Sequence, residues 1–420
     1  MANYNWTNCQ LAASQAFTGL YVSPAQQVLV VDGFGGTGKT TVLQHFLSEI
    51  PKLQKMRKAI TGSCPDYEIM ITATTNKAAE QLRDTLGDAY PTSTTASALG
   101  LILRGYGRTA RLQPTKGSGW LRNTILVVDE ASYLDDWSLE LVMDALDSSS
   151  KAVLMGDPKQ LLSPGSNLPV AFNQGYPTTK LTELVRFKPG SQLDELSANF
   201  RQMVEDGQLF NFQPDGNEVI WLPRDQFEQA IVTEFTRADW MPGDSRVLCW
   251  RNKVVNSYNQ GLFGMRTGQT ELGEGDQVVC NNHLAAPRGS SGKAIKTDSI
   301  VTITHVLERG CIDEVDGRFY RISGRYTPVF LPDSWEKAKL TKEAYLRANN
   351  KTAYQRAEIT WADLRPLFAS TVDKSQGSTF NEVFIDFDDI ARCPNINQLA
   401  RMGYVATSRA RKRIYITGDL

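Results

Sequence analysis

A glycine-rich segment between an apolar run and a helix-forming run constrains this chain more than any other feature. Residues 33–40 read Gly-Phe-Gly-Gly-Thr-Gly-Lys-Thr; strand-like residues 28–31 precede them and a predicted helix follows. The spacing matches the P-loop pattern G-x-x-x-x-G-K-[ST], whose backbone N–H groups turn inward and bind phosphates. The N-terminus of the helix adds a positive dipole end. The segment therefore predicts an α/β fold with a nucleotide at the strand-to-helix turn.

The residues of this loop have predicted roles in nucleotide binding. We expect Lys39 to reach the β- and γ-phosphates and Thr40 to bind Mg²⁺. The predicted nucleotide-binding residues of the segment are Gly33, Gly35, Gly36, Thr37, Gly38, Lys39, Thr40 and Thr41. A glycine-rich turn that matches the pattern by chance is the alternative, and the flanking strand and helix make it the weaker one.

Length and composition narrow the class of protein. At 420 residues the chain is expected to form about two or three domains. It has no apolar run of about eighteen residues, so we expect no membrane span, and we expect no secretory signal. The six cysteines are scattered, which suits a reducing compartment and argues against a zinc site. A net charge of −1 argues against a protein that coats nucleic acid but allows a strand in a local cleft.

Two apolar strands of the first half end in groups suited to nucleotide chemistry. Residues 125–128 run into Asp129 and Glu130, and residues 152–155 run towards Gln160. We expect Asp129 to hold Mg²⁺ and Glu130 to orient and deprotonate the attacking water. The amide of Gln160 suits sensing of the γ-phosphate. Active sites in parallel sheets gather at the carboxyl ends of strands, so these groups are expected to meet.

Two hydroxyl-rich turns suit contacts to the phosphates of a nucleic acid. One follows the strand 68–73, and the other opens a helix near residue 95. The residues assigned to such contacts are Thr72, Thr74, Thr75, Asn76, Lys77, Thr95 and Ser97. Simple helix capping is the alternative, because Ser, Thr and Asn are the residues that cap helices.

The segment 100–123 is basic and contains no acidic residue. Its cations are Arg104, Arg108, Arg111, Lys116 and Arg122, and its aromatic residues are Tyr106 and Trp120. Basic side chains interleaved with aromatic ones are typical of surfaces that bind single-stranded nucleic acid. The length suits a small hairpin inserted in the first domain. A solvated loop is the alternative.

A second α/β pattern starts at residues 246–250 and includes a predicted strand at 275–280. Residues 283–365 then interrupt it with short alternating strands and a charged helical stretch. A hairpin turn is predicted at Asp316-Gly317, because Asp-Gly is a frequent two-residue turn. We interpret the interruption as a small inserted β-barrel-like module.

Taken in order, these motifs resemble those of superfamily 1 nucleic-acid helicases, and most of all superfamily 1B, the phage Dda-type and RecD-type branch that moves 5′ to 3′. The resemblance covers almost the whole chain. The matching segments are 33–41 (motif I), 72–79 (Ia), 129–132 (II), 156–160 (III), 371–379 (V) and 404–411 (VI). Thr74 and Ala96 stand where the family often has proline and histidine.

The resemblance implies an α/β fold with two RecA-like P-loop NTPase domains, a small β-hairpin (pin) insertion and an SH3-like β-barrel insertion. Domain 1A would span residues 1–186 and carry the pin, or 1B insertion, at 100–123. Domain 2A would comprise residues 187–282 and 366–420. The SH3-like 2B insertion would span residues 283–365.

The resemblance also implies roles for individual residues. Gln10 would contact adenine, and Gln376 and Gly377 would complete the ATP site. Arg186 and Arg409 would reach the γ-phosphate as arginine fingers. The implied catalytic residues are Lys39, Asp129, Glu130, Gln160, Arg186 and Arg409. Besides the hydroxyl-rich turns, the residues expected to hold nucleic acid are Tyr106, Trp120, Asn252, Lys253, Thr371, Lys374 and Tyr404.

By resemblance, the chain is expected to be a 5′–3′ DNA helicase or translocase that uses ATP and Mg²⁺ to move along single-stranded DNA and separate duplex. Its partners would be single-stranded DNA and duplex junctions, with replication or recombination proteins as further candidates. A monomer in bacterial or phage-infected cytoplasm is expected. An ATP-dependent clamp, switch or remodeller without processive unwinding is the alternative. A metabolic P-loop kinase is a weaker alternative, because it leaves the second α/β half of the chain unexplained.

Overall fold

The computed structural model describes residues 6–62, 66–104, 111–115, 118–163, 166, 168–188, 190–286 and 294–418. The chain divides into two compact units. Unit 1 comprises Met1–Gln213 and Pro394–Arg411, and unit 2 comprises Pro214–Cys393 and Lys412–Leu420. None of the helices in the described ranges is both long and apolar enough to cross a membrane.

The secondary structure of the described residues alternates between helices and strands. The helices are α1 (Asn8–Val22), α2 (Lys39–Thr61), α3 (Asn76–Leu86), α4 (Thr95–Ala98), α5 (Asp136–Asp144), α6 (Gln192–Asp206), α7 (Arg224–Phe235), α8 (Asn252–Thr267), α9 (Trp335–Arg347), α10 (Lys351–Thr360), α11 (Val372–Ser375), α12 (Phe387–Ile390) and α13 (Ile396–Thr407). The strands are β1 (Val28–Gly33), β2 (Glu68–Ala73), β3 (Thr92–Thr94), β4 (Leu101–Arg104), β5 (Arg111–Pro114), β6 (Thr124–Asp129), β7 (Lys151–Gly156), β8 (Thr178–Leu181), β9 (Val219–Trp221), β10 (Ser245–Cys249), β11 (Gln277–Cys280), β12 (Ser299–Ile312), β13 (Val315–Ile322), β14 (Val329–Pro332), β15 (Leu364–Arg365), β16 (Ala369–Thr371), β17 (Phe380–Asp386) and β18 (Ala410–Thr417).

Unit 1 is built on a parallel sheet with the strand order β3-β2-β6-β7-β1-β8. Its central strands β1, β6 and β7 each carry an unbroken apolar run, because both of their faces are covered. Leu29 and Val31 pack into a core with α1 and α2, whereas Val28 and Val30 pack into a core with α5 on the other face. The loops after β1, β6 and β7 therefore lie at the same edge of the sheet. This confirms the predicted α/β fold with a parallel core.

Helix α13 packs against α6 within unit 1, although the sequence assigned residues 366–420 to the second domain. The Oγ of Ser197 donates to the Oγ1 of Thr407 at 3.1 Å, and both side chains are buried. Gly403 faces Phe200 so closely that an added Cβ would lie 2.2 Å from the ring. Contacts between distant segments decide this placement, so neighbouring residues along the chain do not predict it.

Substituting Gly403 with alanine should destabilise unit 1, because the new methyl group would force α6 and α13 apart. We expect a loss of roughly 1–3 kcal/mol in the free energy of unfolding, measured by thermal unfolding. Gly261→Ala in α8 is the matched control, since no atom lies within 4 Å of its added Cβ. Alanine should stabilise that helix by about 0.5–1 kcal/mol. Equal stability of the Gly403 variant and wild type would contradict the close packing.

A β-hairpin occupies the segment predicted to carry one. Strands β4 and β5 pair antiparallel, with Leu101 opposite Pro114 and Arg104 opposite Arg111. The indole of Trp137, at the start of α5, donates to the carbonyl oxygen of Leu112 at 2.8 Å and attaches the hairpin to that helix. Beyond the hairpin, the Trp120 side chain is 72% exposed. Tyr106, Arg108 and Lys116 lie outside the described residues.

Unit 2 contains two sheets. The first has the order β16-β10-β17-β18-β9, and its pairs β16–β10, β10–β17 and β18–β9 are parallel. The second has the order β14-β13-β12-β11-β15 and is antiparallel. Strand β11 pairs with β12 and β15, so the predicted strand at 275–280 belongs to this antiparallel sheet and not to the parallel one.

The predicted turn at Asp316-Gly317 is wrong, because both residues lie inside β13. The chain turns at Asp313 and Glu314, whose φ angles are 48° and 66°. Gly317 is required for strand packing and not for a turn, because an added Cβ would lie 2.4 Å from the carbonyl oxygen of Leu331. The glycine therefore allows β14 to approach β13 closely, which local sequence does not reveal.

The two sheets of unit 2 share one core. A single buried cluster contains Val247 and Phe384 from the parallel sheet together with Val278, Ile303 and Tyr320 from the antiparallel sheet. The region predicted as an insertion is therefore continuous in packing with the parallel sheet. Whether it corresponds to an SH3-like barrel stays a prediction.

Candidate active site

The segment after β1 adopts a loop that only glycine permits at two positions. Gly36 and Gly38 have φ angles of 89° and 82°, in the left-handed region. An added Cβ would lie 2.9 Å from Cβ of Arg186 at Gly36, and 2.9 Å from Nε2 of Gln10 at Gly38. Gly38 is also the N-cap of α2, so the loop meets a helix N-terminus as the P-loop pattern predicts.

Lys39 opens α2 and turns its side chain back over the loop. Its Nζ donates to the carbonyl oxygen of Gly33 at 2.7 Å and to that of Phe34 at 3.3 Å. Thr37 is buried, and its hydroxyl donates to the same Phe34 carbonyl at 2.8 Å. Thr40 and Thr41 follow in the first turn of α2. The ammonium group is therefore held within the loop that would receive the phosphates.

Gln10 is buried and linked to the same loop. Its Nε2 donates to the carbonyl oxygen of Thr37 at 3.0 Å. Its Oε1 accepts from the backbone N–H of Thr7 at 3.1 Å, which completes a capping box at the start of α1. The structure thus brings Gln10 to the P-loop, and its contact with adenine stays a prediction.

Two carboxylates lie at the end of β6, at the same edge of the sheet. Glu130 has a φ of 53°, a strained left-handed conformation for a residue with a side chain. Buried oxygens without a hydrogen-bond partner among the described residues include Oδ1 of Asp129, Oε2 of Glu130 and Oγ of Ser132. Burial raises the pKa of Asp129 to about 6; the charge of Glu130 adds to the rise and Lys39 opposes it. Oxygen ligands of this kind fit Mg²⁺.

Asp157, after β7, is the centre of a buried hydrogen-bond network. Its Oδ2 accepts from the backbone N–H of Gly35 at 2.8 Å, from the phenol of Tyr404 at 2.5 Å and from Nε2 of Gln160 at 3.2 Å. The Tyr404 oxygen accepts from the same Gly35 N–H at 2.9 Å. Burial and the nearby charge of Asp157 raise the pKa of Tyr404. The structure therefore places Tyr404, which the sequence assigned to nucleic-acid binding, against the P-loop.

Two arginines complete the cluster within unit 1. Arg186 donates from its backbone N–H to the carbonyl oxygen of Gly36 at 3.1 Å and from its guanidinium to that of Ser408 at 2.9 Å. Burial, followed by the charges of Arg409 and Arg411, lowers the pKa of Arg186 to about 10. Burial also lowers the pKa of Arg409, and the carboxylate of Glu130 opposes that effect. Both predicted arginine fingers thus lie in the same unit as the P-loop.

Comparison with known families agrees with this geometry. Residues 10–215 match the model of a family described as an AAA domain. Residues 366–417 match a family described as the UvrD-like helicase C-terminal domain. The first match includes every residue of the cluster from Gln10 to Arg186, and the second includes Tyr404 and Arg409.

Solved structures share the fold. A crystal structure of Pif1 helicase from Bacteroides, in complex with ADP-AlF3 and single-stranded DNA, covers 96% of this chain and 91% of its own, with a TM-score of 0.51. The two sequences are 14% identical, so the likeness concerns the α/β fold alone.

Sequence relatives point to the same group. RecBCD enzyme subunit RecD of Mycolicibacterium smegmatis is 26% identical over 220 residues, which are 50% of this chain and 39% of the relative. The ATP-dependent RecD2 DNA helicase of Deinococcus radiodurans is 29% identical over 290 residues, 65% of this chain and 36% of the relative. These matches support superfamily 1B of the helicases, the RecD type, as the family of this chain. The chain spans well under half the length of these two relatives.

The hydroxyl groups predicted to hold nucleic acid near motif Ia make internal contacts in this chain. Thr72 is buried, and its Oγ1 donates to the carbonyl oxygen of Val127 at 2.8 Å. Thr95 is also buried and donates to Oγ1 of Thr72 at 3.1 Å. Thr75 caps α3, as the alternative interpretation proposed. The hydroxyl of Thr74 donates to the carbonyl oxygen of Glu130 at 3.2 Å and joins motif Ia to the carboxylates.

Other predicted DNA contacts lie at helix starts, and their role stays a prediction. In unit 1, Asn76 and Lys77 open α3, and Ser97 is exposed on α4. In unit 2, Asn252 and Lys253 are exposed at the start of α8.

The segment that resembles motif V forms the turn into α11 in unit 2. Thr371 caps α11, and Nζ of Lys374 contacts Asn281 and lies 2.9 Å from a carboxylate oxygen of Asp298. Gln376 and Gly377 follow α11, and Gly377 has a φ of 79°. Their part in binding nucleotide stays a prediction.

A polar chain that the sequence does not reveal joins Lys374, one of the predicted DNA contacts, to α8. Asp363 accepts from Arg365 and, at 2.7 Å, from Nδ2 of Asn281, whose Oδ1 contacts Lys374. Arg365 also donates to Oδ1 of Asn256, on α8, at 2.8 Å. Contacting members of this polar chain lie up to 109 residues apart in sequence. Arg365 belongs to no recognisable motif, so the sequence alone does not reveal these contacts.

Proposed function

We propose that the protein is an ATP-dependent DNA helicase or translocase that moves 5′ to 3′ along single-stranded DNA and separates duplex. The observation that carries the proposal is the cluster at one edge of the unit 1 sheet, where the P-loop, two carboxylates, Gln160 and two arginines meet. A metabolic P-loop kinase would need neither this pair of arginines nor a segment that matches the UvrD-like helicase C-terminal domain. The names of the two sequence relatives, a RecD subunit and a RecD2 DNA helicase, support the same activity.

In this proposal, each group of the cluster has a role in ATP hydrolysis. The backbone amides of the P-loop and Lys39 bind the phosphates, and Glu130 accepts a proton from the attacking water. Mg²⁺, held by Thr40 and Asp129, would supply positive charge next to the phosphate oxygens. Arg186 and Arg409 stabilise the charge that develops on the transferred group. Gln160 orients the water or senses the γ-phosphate.

The finer parts of the proposal concern DNA. Residues at helix starts, namely the half-buried Asn76 and Lys77 and the exposed Asn252 and Lys253, would contact phosphates, which carry no base sequence information. Binding should therefore show weak sequence preference and strong salt dependence. The β4–β5 hairpin would act as the pin that separates strands, and the antiparallel sheet of unit 2 would be the SH3-like element of the Dda and RecD branch. A cytoplasmic location and a monomeric state are also part of the proposal, and both rest on the resemblance alone.

Strand displacement on 5′-tailed and 3′-tailed DNA duplexes tests the proposal. We expect ATP-dependent displacement of the 5′-tailed duplex and little of the 3′-tailed one, with RNA tails compared in parallel. Lys39→Ala should abolish both displacement and DNA-stimulated hydrolysis, because it removes the phosphate-binding cation. ATP hydrolysis stimulated by single-stranded DNA without displacement would instead favour an ATP-dependent clamp or switch. Absence of any DNA stimulation would refute both.

Trp120→Ala should reduce unwinding by about five-fold or more while leaving hydrolysis stimulated by single-stranded DNA near wild type. An exposed aromatic side chain stacks on bases, a contact that contributes about 1–3 kcal/mol per base. Tyr106→Ala is the parallel variant that identifies which aromatic separates the strands. Tyr326→Ala, at another exposed aromatic residue, is the control. Equal losses of unwinding and hydrolysis would argue against a pin.

A further inference from the structure

The backbone N–H of Gly35 lies in the P-loop, yet its hydrogen bond goes to the protein itself. It donates to Oδ2 of Asp157 at 2.8 Å and to the Tyr404 oxygen at 2.9 Å. Backbone amides of this loop are the groups that bind phosphate oxygens in P-loop proteins. An amide has one proton, so Gly35 cannot make a full hydrogen bond to phosphate while it donates to Asp157.

The surroundings of Asp157 Oδ2 are those that a phosphate oxygen would need. A backbone amide, the Tyr404 phenol and the side-chain amide of Gln160 all donate to this one anionic oxygen. The guanidinium groups of Arg401 and Arg409 lie near enough for the Asp157 charge to influence both. Asp157 itself is fully buried, so a bulk cation cannot neutralise it.

We propose that Asp157 occupies the γ-phosphate position of the P-loop when no nucleotide is bound, and that Tyr404 holds it there. The inference rests on the proposed ATPase function and adds a residue that discriminates ATP from ADP. A γ-phosphate must displace the carboxylate from the Gly35 amide, because two anions cannot share one donor at that distance. ADP carries no γ-phosphate and leaves the contact intact. Asp157 thereby lowers the affinity for ATP relative to that for ADP.

Tyr404 gives this contact a mechanical consequence. The residue lies on α13, and its phenol links that helix to both Gly35 and Asp157. Arg409 follows five residues later, and its Nε donates to the carbonyl oxygen of Val405 at 3.1 Å. Release of Asp157 would free the Tyr404 hydroxyl. Arrival of the γ-phosphate is thus transmitted to the segment that carries the arginine finger, so Tyr404 is a positioning residue.

Nucleotide binding by the full-length chain tests the inference, with a fluorescent non-hydrolysable ATP analogue and fluorescent ADP as the two probes. Asp157→Asn keeps the shape of the side chain but removes the negative charge that opposes the γ-phosphate. Loss of one charge-assisted contact corresponds to about ten-fold in affinity. We therefore expect the variant to bind the ATP analogue about ten-fold tighter and ADP within about two-fold of wild type. Asp239→Asn, at an exposed carboxyl group, should change neither.

Tyr404→Phe provides an independent arm if Asp157→Asn fails to fold, as judged by thermal unfolding. It retains the carboxylate but removes the phenol that orients it, so the ratio of ATP-analogue to ADP affinity should rise about three-fold or more. An equal weakening for both nucleotides, or an unchanged ratio, would show that Asp157 is a static support and would overturn the inference while the proposed function stands. Failure of the wild-type chain to bind either nucleotide would overturn both.

Discussion

Replacing Arg409 with alanine should slow ATP hydrolysis by about 10³- to 10⁵-fold, the contribution made by arginine fingers in related phosphoryl-transfer sites. The Arg409 side chain is buried beside the P-loop cluster, where Glu130 and Asp157 both influence its pKa. Its planar guanidinium can donate several hydrogen bonds to phosphoryl oxygens, and the low local dielectric strengthens them. Ground-state affinity for ATP should remain within about three-fold of wild type, because Lys39 and the loop amides stay in place.

Single-turnover hydrolysis and equilibrium binding of a fluorescent ATP analogue separate these two effects. Arg411→Ala is the matched control, since Arg411 lies two residues later and is exposed. Thermal unfolding of both variants shows whether loss of the buried guanidinium also destabilises unit 1. A large loss of binding with normal turnover of the bound nucleotide would make Arg409 a binding residue instead of a finger.

Asp129→Asn should abolish hydrolysis and at the same time make the protein more stable. The Asp129 carboxylate is buried, its Oδ1 has no hydrogen-bond partner among the described residues, and its pKa is raised to about 6. Keeping it ionised at neutral pH therefore costs folding free energy. The uncharged amide removes a cost of roughly 1–3 kcal/mol, which corresponds to a rise of several degrees in the melting temperature. Such an exchange of stability for activity is frequent at catalytic sites.

The pH dependence of this effect has a defined sign. Because the folded-state pKa of Asp129 is raised, the folded protein binds this proton more tightly than the unfolded chain does. The stability that the protonated Asp129 side chain contributes to the folded state is fully present below about pH 4 and is lost as the pH rises through about 6. The difference in melting temperature between Asp129→Asn and wild type should thus be large at pH 7.5 and small near pH 4.5. Asp239→Asn should show no such trend, and a constant difference would contradict an ionised Asp129.

The sequence predicts those parts of the site that depend on local pattern. The P-loop spacing, the apolar strands β1, β6 and β7, and the polar residues that follow them all come from neighbouring residues, and the structure brings them to one edge of the sheet. Parallel strands buried on both faces leave a long apolar run, which is a strong local signal. The resemblance to superfamily 1B, built on these motifs, is confirmed by the family models and the relatives.

Features that depend on contacts between distant segments were not predictable. Tyr404 and Asp157 are 247 residues apart, and neither residue type indicates the other. Gly403 reads as an unfavourable residue inside a helix until Phe200 is seen against it. In the sequence, the hydroxyl of Thr72 looks available for a phosphate contact. In the structure, Thr72 is buried within β2, and its hydroxyl donates to the carbonyl oxygen of Val127 on the neighbouring strand β6. Tertiary packing decides each of these cases.

The core shared by the two sheets of unit 2 limits how its antiparallel region can be studied. Removing residues 283–365 would take Ile303 and Tyr320 out of the cluster that also contains Val247 and Phe384, and would expose apolar surface on the remaining sheet. Such a truncated chain would report on unfolding and not on the function of the deleted region. Substitutions of exposed side chains, such as Tyr326 and Leu340, leave that core intact and are the way to dissect the region.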